Sequence, residues 1–264
     1  MRILFFGDIV GRPGRKAVAA RLSSLRAALG LDLVIANAEN ASGGLGLSAQ
    51  GAAEVLGSGV EVITSGNHIW RYRDLVPVLD QNPRLLRPAN YPAGAPGKGL
   101  TILDLTSGRA SDQRVAILNL QGRTFMDPID CPFAAADRLL AEIPDEVRIR
   151  ILDFHAEATS EKIALGLYLD GRISALVGTH THVQTTDARI LPGGTAFLSD
   201  AGMCGPLHSC LGMDPAAILK KFRTGLPQRF EVAKGPAILQ GVIFDIDEAS
   251  GRATDIRLLN EAED

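Results

Sequence analysis

Arg2-Ile3-Leu4-Phe5-Phe6-Gly7-Asp8-Ile9-Val10-Gly11-Arg12-Pro13-Gly14 is the stretch that sets the fold. Ile3 to Phe6 is a continuous apolar run, the pattern of a strand buried on both faces rather than one with an alternating wet side. Gly7 and Asp8 end it. Pro13 and Gly14 then mark a helix start, and Val18, Leu22, Leu25 and Leu29 share one face of the helix that follows. A buried strand feeding a helix is the repeating unit of α/β proteins, whose ligands bind beyond the carboxyl ends of the strands. Asp8 stands at that edge, although alone it reads equally well as a turn or capping aspartate.

The same shape recurs downstream. Leu33 to Ala36, Val60 to Ile63, Val115 to Leu120, Ile149 to Phe154 and Ala175 to Val177 are further buried strands. Ala135, Leu139 and Ile143 share a helical face, and Ser160 to Leu169 reads as another helix with Ser160 as its cap. Thr195 to Leu198, Ala237 to Ile246 and Thr254 to Leu259 have no long helices between them and read as strands joined by hairpin-like connections. The sheet content is therefore mixed, parallel early and antiparallel late. Two Pro/Gly-rich stretches, Arg87 to Gly99 and Gly202 to Pro215, are bounded by core-like strands and read as surface loops lining a cleft within one domain, 1–264.

The strand ends carry the chemistry. After Asp8 come Asn37-Ala38-Glu39-Asn40, Gly66-Asn67-His68, Asp153-Phe154-His155 and Gly178-Thr179-His180-Thr181-His182, so four of the chain's 5 histidines fall at such ends. Acids, amides and imidazoles gathered there are enough to hold two metal ions. Gly66 permits close backbone approach. Asn67 and His68 diverge as neighbours on an extended segment, so one can ligate while the other meets substrate. His180 and His182, two apart, can reach two adjacent ions. Each residue has a plain reading by itself as a solvated, capping or hydrogen-bonded side chain; their coincidence at successive strand ends argues against those readings jointly. His208, with Cys204 and Cys210, forms C-x3-H-x-C, which supplies too few ligands for a closed zinc site.

Composition narrows the class. At 46% hydrophobic and 22% charged, the chain has the make-up of a soluble globular protein. Its net charge of -3 argues against a broad nucleic-acid footprint, leaving bulk nucleic acid an unfavoured partner. Arg12, Arg15 and Lys16 make a local basic cluster at the first helix start that could favour an anion, though a solvated helix face is the plainer reading. The 3 cysteines form no even-numbered framework and point to a reducing, cytoplasmic compartment. The apolar run at Ile3 to Phe6 is too short for a signal-peptide core or a membrane span.

In order, Gly7-Asp8, Glu39-Asn40, Gly66-Asn67-His68, His155 and Gly178-Thr179-His180-Thr181-His182 resemble the motif series of calcineurin-like metallophosphoesterases. More narrowly, Gly7-Asp8-Ile9-Val10-Gly11, Asn37-Ala38-Glu39-Asn40, Asp153-Phe154-His155-Ala156-Glu157 and Ser199-Asp200-Ala201-Gly202-Met203 are similar to the YmdB-type bacterial branch. Val10 stands where the wider superfamily has a histidine, and Glu39 where it has a bridging aspartate; the branch is similar in both respects. The resemblance spans nearly the whole chain and implies a four-layer αββα sandwich of two mixed sheets.

On that resemblance, Asp8, Glu39, Asn40 and His182 hold one ion, and Glu39, Asn67, His155 and His180 hold a second, with Glu39 bridging. Iron or manganese, divalent or trivalent, is implied, and the oxygen and imidazole shell suits either. The implied substrates are small phosphodiesters, 2′,3′-cyclic or 3′,5′-cyclic nucleotides, attacked in line by a hydroxide between ions about 3.5 to 4 Å apart. His68, adjacent to a ligand but not needed as one, is the candidate general acid, a role worth roughly 10² to 10⁴ in rate. A homo-oligomer is also implied. The alternative is a metal-stabilised regulator or scaffold that binds a nucleotide with little turnover. Two other enzyme readings fit less well: an amidohydrolase places its HxH near the first strand, and Gly7, Gly11 and Gly14 miss the G-x-G-x-x-G spacing of a dinucleotide fold.

Overall fold

The computed structural model describes residues 1–105 and 113–263. In β1 (Arg2–Phe6), Ile3 and Phe5 face one side and Leu4 and Phe6 the other, and all four are fully buried. A strand with no wet face must lie between two layers, and each such side chain contributes roughly 1.5–3 kcal/mol by leaving water. The chain continues through β2 (Asp8–Ile9), α1 (Gly11–Leu29), β3 (Leu33–Asn37), α2 (Ala49–Gly57), β4 (Val62–Thr64), α3 (Val76–Gln81), β5 (Leu100–Leu105) and β6 (Gln113–Gln121). Then follow α4 (Pro132–Glu142), β7 (Ile149–His155), α5 (Thr159–Leu169), β8 (Ala175–Thr179), β9 (Arg189–Ile190), β10 (Ala196–Leu198), β11 (Met203–Pro206), α6 (Pro215–Thr224), β12 (Ala237–Ile246) and β13 (Ala253–Ala262).

Two mixed sheets result. In the first, β1, β3 and β4 run parallel; β12 lies antiparallel to β1 and β11 along one edge and to β13 along the other, and β2 joins β11. In the second, β6, β7, β8 and β10 run parallel, with β5 and β9 antiparallel at the two ends. Side-chain alternation sorts the core into three layers. Ile3, Phe5, Leu33 and Ile35 meet Val115, Ile117, Ile149, Ile151 and Val177 between the sheets. Leu4, Phe6, Val34 and Ala36 pack outward on Val18, Leu22 and Leu25 of α1. Leu118, Leu152 and Phe154 pack on Ala135 and Leu139 of α4 and on Leu165 and Leu169 of α5. The architecture is a four-layer αββα sandwich.

Several local expectations are corrected. The start of Gly202 to Pro215 is core rather than surface loop: Met203–Pro206 forms buried β11, whose strand character is masked by flanking glycine and proline. Thr195 to Leu198 contributes β10, which lies between β8 and β9 in the second sheet, whereas β12 belongs to the first and follows α6, so the two form no hairpin. Ser160 does not cap α5; the N-cap is Ala158, without a side-chain bond. α1 begins at Gly11, ahead of Pro13, where Gly11 takes a positive φ of 61°.

Candidate metal centre

The first sheet brings Asp8, Glu39, Asn40, Asn67 and His68 to its carboxyl edge, and the second sheet brings His155, His180 and His182 to the same place. Gly66 makes the meeting possible, since a Cβ there would lie 2.0 Å from His155 Cδ2. His180 and His182 take φ of 100° and 63°, a conformation costly outside glycine, and the segment between them is turned so that the two rings serve different neighbours.

One group of donors centres on His155. Its Nε2 lies 3.0 Å from Glu39 Oε1, 3.0 Å from Asn67 Oδ1 and 3.0 Å from His180 Nδ1. Glu39, His155 and His180 are the cluster of acid and imidazole atoms able to converge on a single cation among the described residues. Behind it runs a buried relay. Thr179 Oγ1 donates to Asp153 Oδ1 at 2.8 Å, which leaves it to accept the Nδ1–H of His155 at 2.9 Å. Asn37 Nδ2 and Thr64 Oγ1 also donate to Asp153. The relay engages Nδ1 and so fixes the ring with Nε2 facing Glu39. Glu157 does the same for His180, with Oε2 3.0 Å from its Nε2.

The second group is built on Asp8 and His182. His182 Nε2 lies 3.7 Å from Asp8 Oδ1, and its Nδ1–H donates to the Leu211 carbonyl at 3.0 Å. Asp8 Oδ2 accepts the His180 backbone N–H at 3.0 Å. Asn40 Nδ2 stands 3.1 Å from His182 Nε2 and 3.5 Å from Asp8 Oδ1, while its Oδ1 accepts His68 Nδ1–H at 2.9 Å. An NH2 group has no lone pair for a cation, so Asn40 fits as a ligand only with its amide turned over. That half-turn would also present a donor to His68 Nδ1 and move the ring proton to Nε2.

The electrostatics suit positive charge. Burial alone would raise Glu39, but the His155 charge and hydrogen bond, with His68, hold its carboxyl well below the usual range. Burial would lower His155, yet Glu39 outweighs it and lifts the imidazole to about 9. His180 is driven down to about 3 by burial and by the neighbouring His155, so its ring is a neutral donor of lone pairs. Burial raises Asp8, partly offset by His182 and His155. A cation bound there would take the place of the His155 Nε2 proton, and the resulting set of carboxylates, amide oxygens and ring nitrogens is the donor chemistry of hard to intermediate metal ions, so the residues present fit such ions.

All eight residues singled out in the sequence therefore gather in one place. His208 is exposed and Cys204 Sγ donates to the Gln240 carbonyl at 3.3 Å, apart from the centre. Asp153, Thr179, Asn37 and Glu157 carry supporting contacts that motif spacing alone does not disclose.

A family described as YmdB-like protein matches residues 4–259. The chain belongs to the YmdB-like family. A Bacillus subtilis (strain 168) relative named 2′,3′-cyclic-nucleotide 2′-phosphodiesterase is 49% identical over 263 residues, covering 99% of this chain and 98% of its own. A Mycoplasma genitalium protein named putative phosphatase/phosphodiesterase is 38% identical, over 93% of this chain and 88% of its own. Two solved structures share the YmdB-like architecture closely: a hypothetical protein from Thermus thermophilus, TM-score 0.92 and 41% identity with all of both chains covered, and a Mycoplasma pneumoniae phosphatase, TM-score 0.92 and 34% identity over 100% and 94%.

Proposed function

We propose that this protein is a dinuclear-metal phosphodiesterase acting on 2′,3′-cyclic and 3′,5′-cyclic nucleotides, the former favoured by the name of the Bacillus relative. The observation that carries the reading is Glu39, fully buried, with Oε1 3.0 Å from His155 Nε2 in one group and 3.5 Å from Asn40 Nδ2 in the other. Asp8, Glu39, Asn40 and His182 would hold one ion and Glu39, Asn67, His155 and His180 the other, iron or manganese. Bound there, the ions supply Lewis-acid charge to the phosphoryl oxygens and acidify the attacking water.

This chain's own residues orient the reaction. His68 is held by its backbone N–H on Glu39 Oε2 at 2.9 Å and by Nδ1 on Asn40, with its side chain 35% exposed to the cleft. With the Asn40 amide turned over to face a cation, the ring proton would sit on Nε2, from which His68 would protonate the departing ribose oxygen. The 180–182 turn and the Asp153 relay keep the donor atoms preset, so little reorganisation is needed during the reaction. The same reading treats the whole chain as one domain working in the cytoplasm as a homo-oligomer; no described helix is long and apolar enough to cross a membrane.

The test pairs metal analysis with turnover. Freshly purified protein is expected to carry near two ions per chain and to open 2′,3′-cyclic AMP, and His68→Ala to keep both ions while losing about 10² to 10⁴ in kcat. A parent that holds its metals and binds nucleotide without hydrolysing any cyclic nucleotide would instead make it a metal-stabilised scaffold.

A further inference from the structure

We propose that the basic cavity beside the metal centre binds the phosphodiester backbone of a single-stranded oligoribonucleotide whose 2′,3′-cyclic phosphate end occupies that centre. This rests on the function proposed above and names its substrate class. The cavity, about 800 Å³, is lined by Arg12, Arg15 and Lys16 from the first turns of α1 and by Arg229, Phe230 and Lys234 from the segment between α6 and β12. Its acids are Glu231 and Glu263. On a chain of net charge -3, five cations against two acids is a local reversal of sign.

Much of that charge is unspent. Arg12, Lys16 and Lys234 are exposed and form no ion pair among the described residues, and Arg229 meets Glu231 only at 3.9 Å. Arg15 is committed, to Glu54 at 2.7 Å and to the Ala41 carbonyl, and so shapes the wall. Phe230 is half-buried, with Lys221 Nζ 5.1 Å from its ring centroid; an aromatic beside cations is the combination that stacks bases while tracking a backbone.

The cavity adjoins the reaction centre. Gly43 lines it and Asn40 belongs to the metal centre, and three residues span at most about 11 Å. Gly11 N–H donates to the Asn40 carbonyl at 2.9 Å, which pins the intervening turn to the start of α1. At about 3.4 Å per stacked nucleotide, any separation within that limit is bridged by the next few nucleotides of a chain. A 2′,3′-cyclic phosphate requires a ribose and forms when a 2′-hydroxyl attacks the adjoining phosphodiester of RNA. Such an end carries further nucleotides on its 5′ side, and these are what the cations would hold.

The metal-loaded protein is tested with cyclic-phosphate-ended cytidine and with a hexaribonucleotide bearing the same end, in kinetics, and with a 5′-fluorescein hexaribonucleotide 3′-phosphate, in anisotropy. The hexamer is expected to have a kcat/KM about tenfold higher than the mononucleotide, and its binding to weaken with salt at a log–log slope of about -2, the value for three neutralised phosphates. The combined Arg12→Ala, Lys16→Ala, Lys234→Ala protein should lose both the preference ratio and the slope. Equal kcat/KM for the two substrates, or a ratio and slope unchanged in the triple variant, overturns the proposal. Should neither substrate be hydrolysed, the proposed function fails by itself, and the anisotropy slope still decides whether the cavity holds RNA.

Discussion

His180 has two ring nitrogens and only one can face Glu39, so the residue that settles its orientation matters as much as the ligand. Glu157 Oε2, 3.0 Å from Nε2, is that residue. Glu157→Ala is expected to weaken manganese binding by about 10- to 100-fold in calorimetry, the usual effect of removing a partner behind a metal-binding histidine. Glu157→Gln should recover most of it, because an amide oxygen also accepts the Nε2–H. Parent-like affinity in the alanine variant would deny Glu157 this part. The contrast between the proposed ligands and the residues behind them explains what the sequence discloses. Asp8, Asn67 and His155 each end an apolar run, a pattern visible locally. The Asp153–Thr179–His155 relay joins two strands paired in register, and a hydrogen bond between such distant positions leaves no local trace.

Among the elements, β1 and β12 are locked at their ends by Arg2 opposite Asp245, whose two oxygens accept Nε–H at 2.7 Å and an Nη2–H at 2.8 Å. This hydrogen-bonded pairing lowers the Asp245 carboxyl below its ordinary 3.8. A depressed carboxyl stabilises the fold fully above the unfolded value, and the contribution disappears as pH falls through the lower folded value. Asp245→Asn is therefore expected to cost up to about 1 kcal/mol in urea unfolding at pH 7 and next to nothing near pH 2. An equal cost at both pH values would mean that packing, not charge, is being measured. The central strands of this sheet are legible in the sequence because apolar runs with no wet face admit few alternatives. α2, α6 and β5 are not. α6 buries no side chain at all, so the core leaves no imprint on its sequence, and β5 is an edge strand with several half-buried positions.

For the molecule as a whole, the two sheets must keep their relation if donors from both are to meet, and the crossing from β10 to β11 runs through Asp200. Its Oδ2 accepts Lys162 Nζ at 2.8 Å and the Thr181 N–H at 3.0 Å, while Oδ1 accepts the Gly202 N–H at 2.9 Å. One carboxylate thus ties α5, the 180–182 turn and the entry to β11, and both charged side chains are almost wholly buried. Removing one partner strands the other charge away from water. Lys162→Met is expected to destabilise the fold by about 3–5 kcal/mol and to weaken metal binding through the loosened turn. Adding Asp200→Asn to it should return part of the stability, because no isolated charge remains, but not the metal affinity, because an amide oxygen holds the Thr181 N–H less firmly than a carboxylate. A double-mutant cycle in urea measures the coupling directly. Strictly additive losses would show that Lys162 and Asp200 act separately, and would remove this pair as the device that keeps the two halves of the metal centre in register.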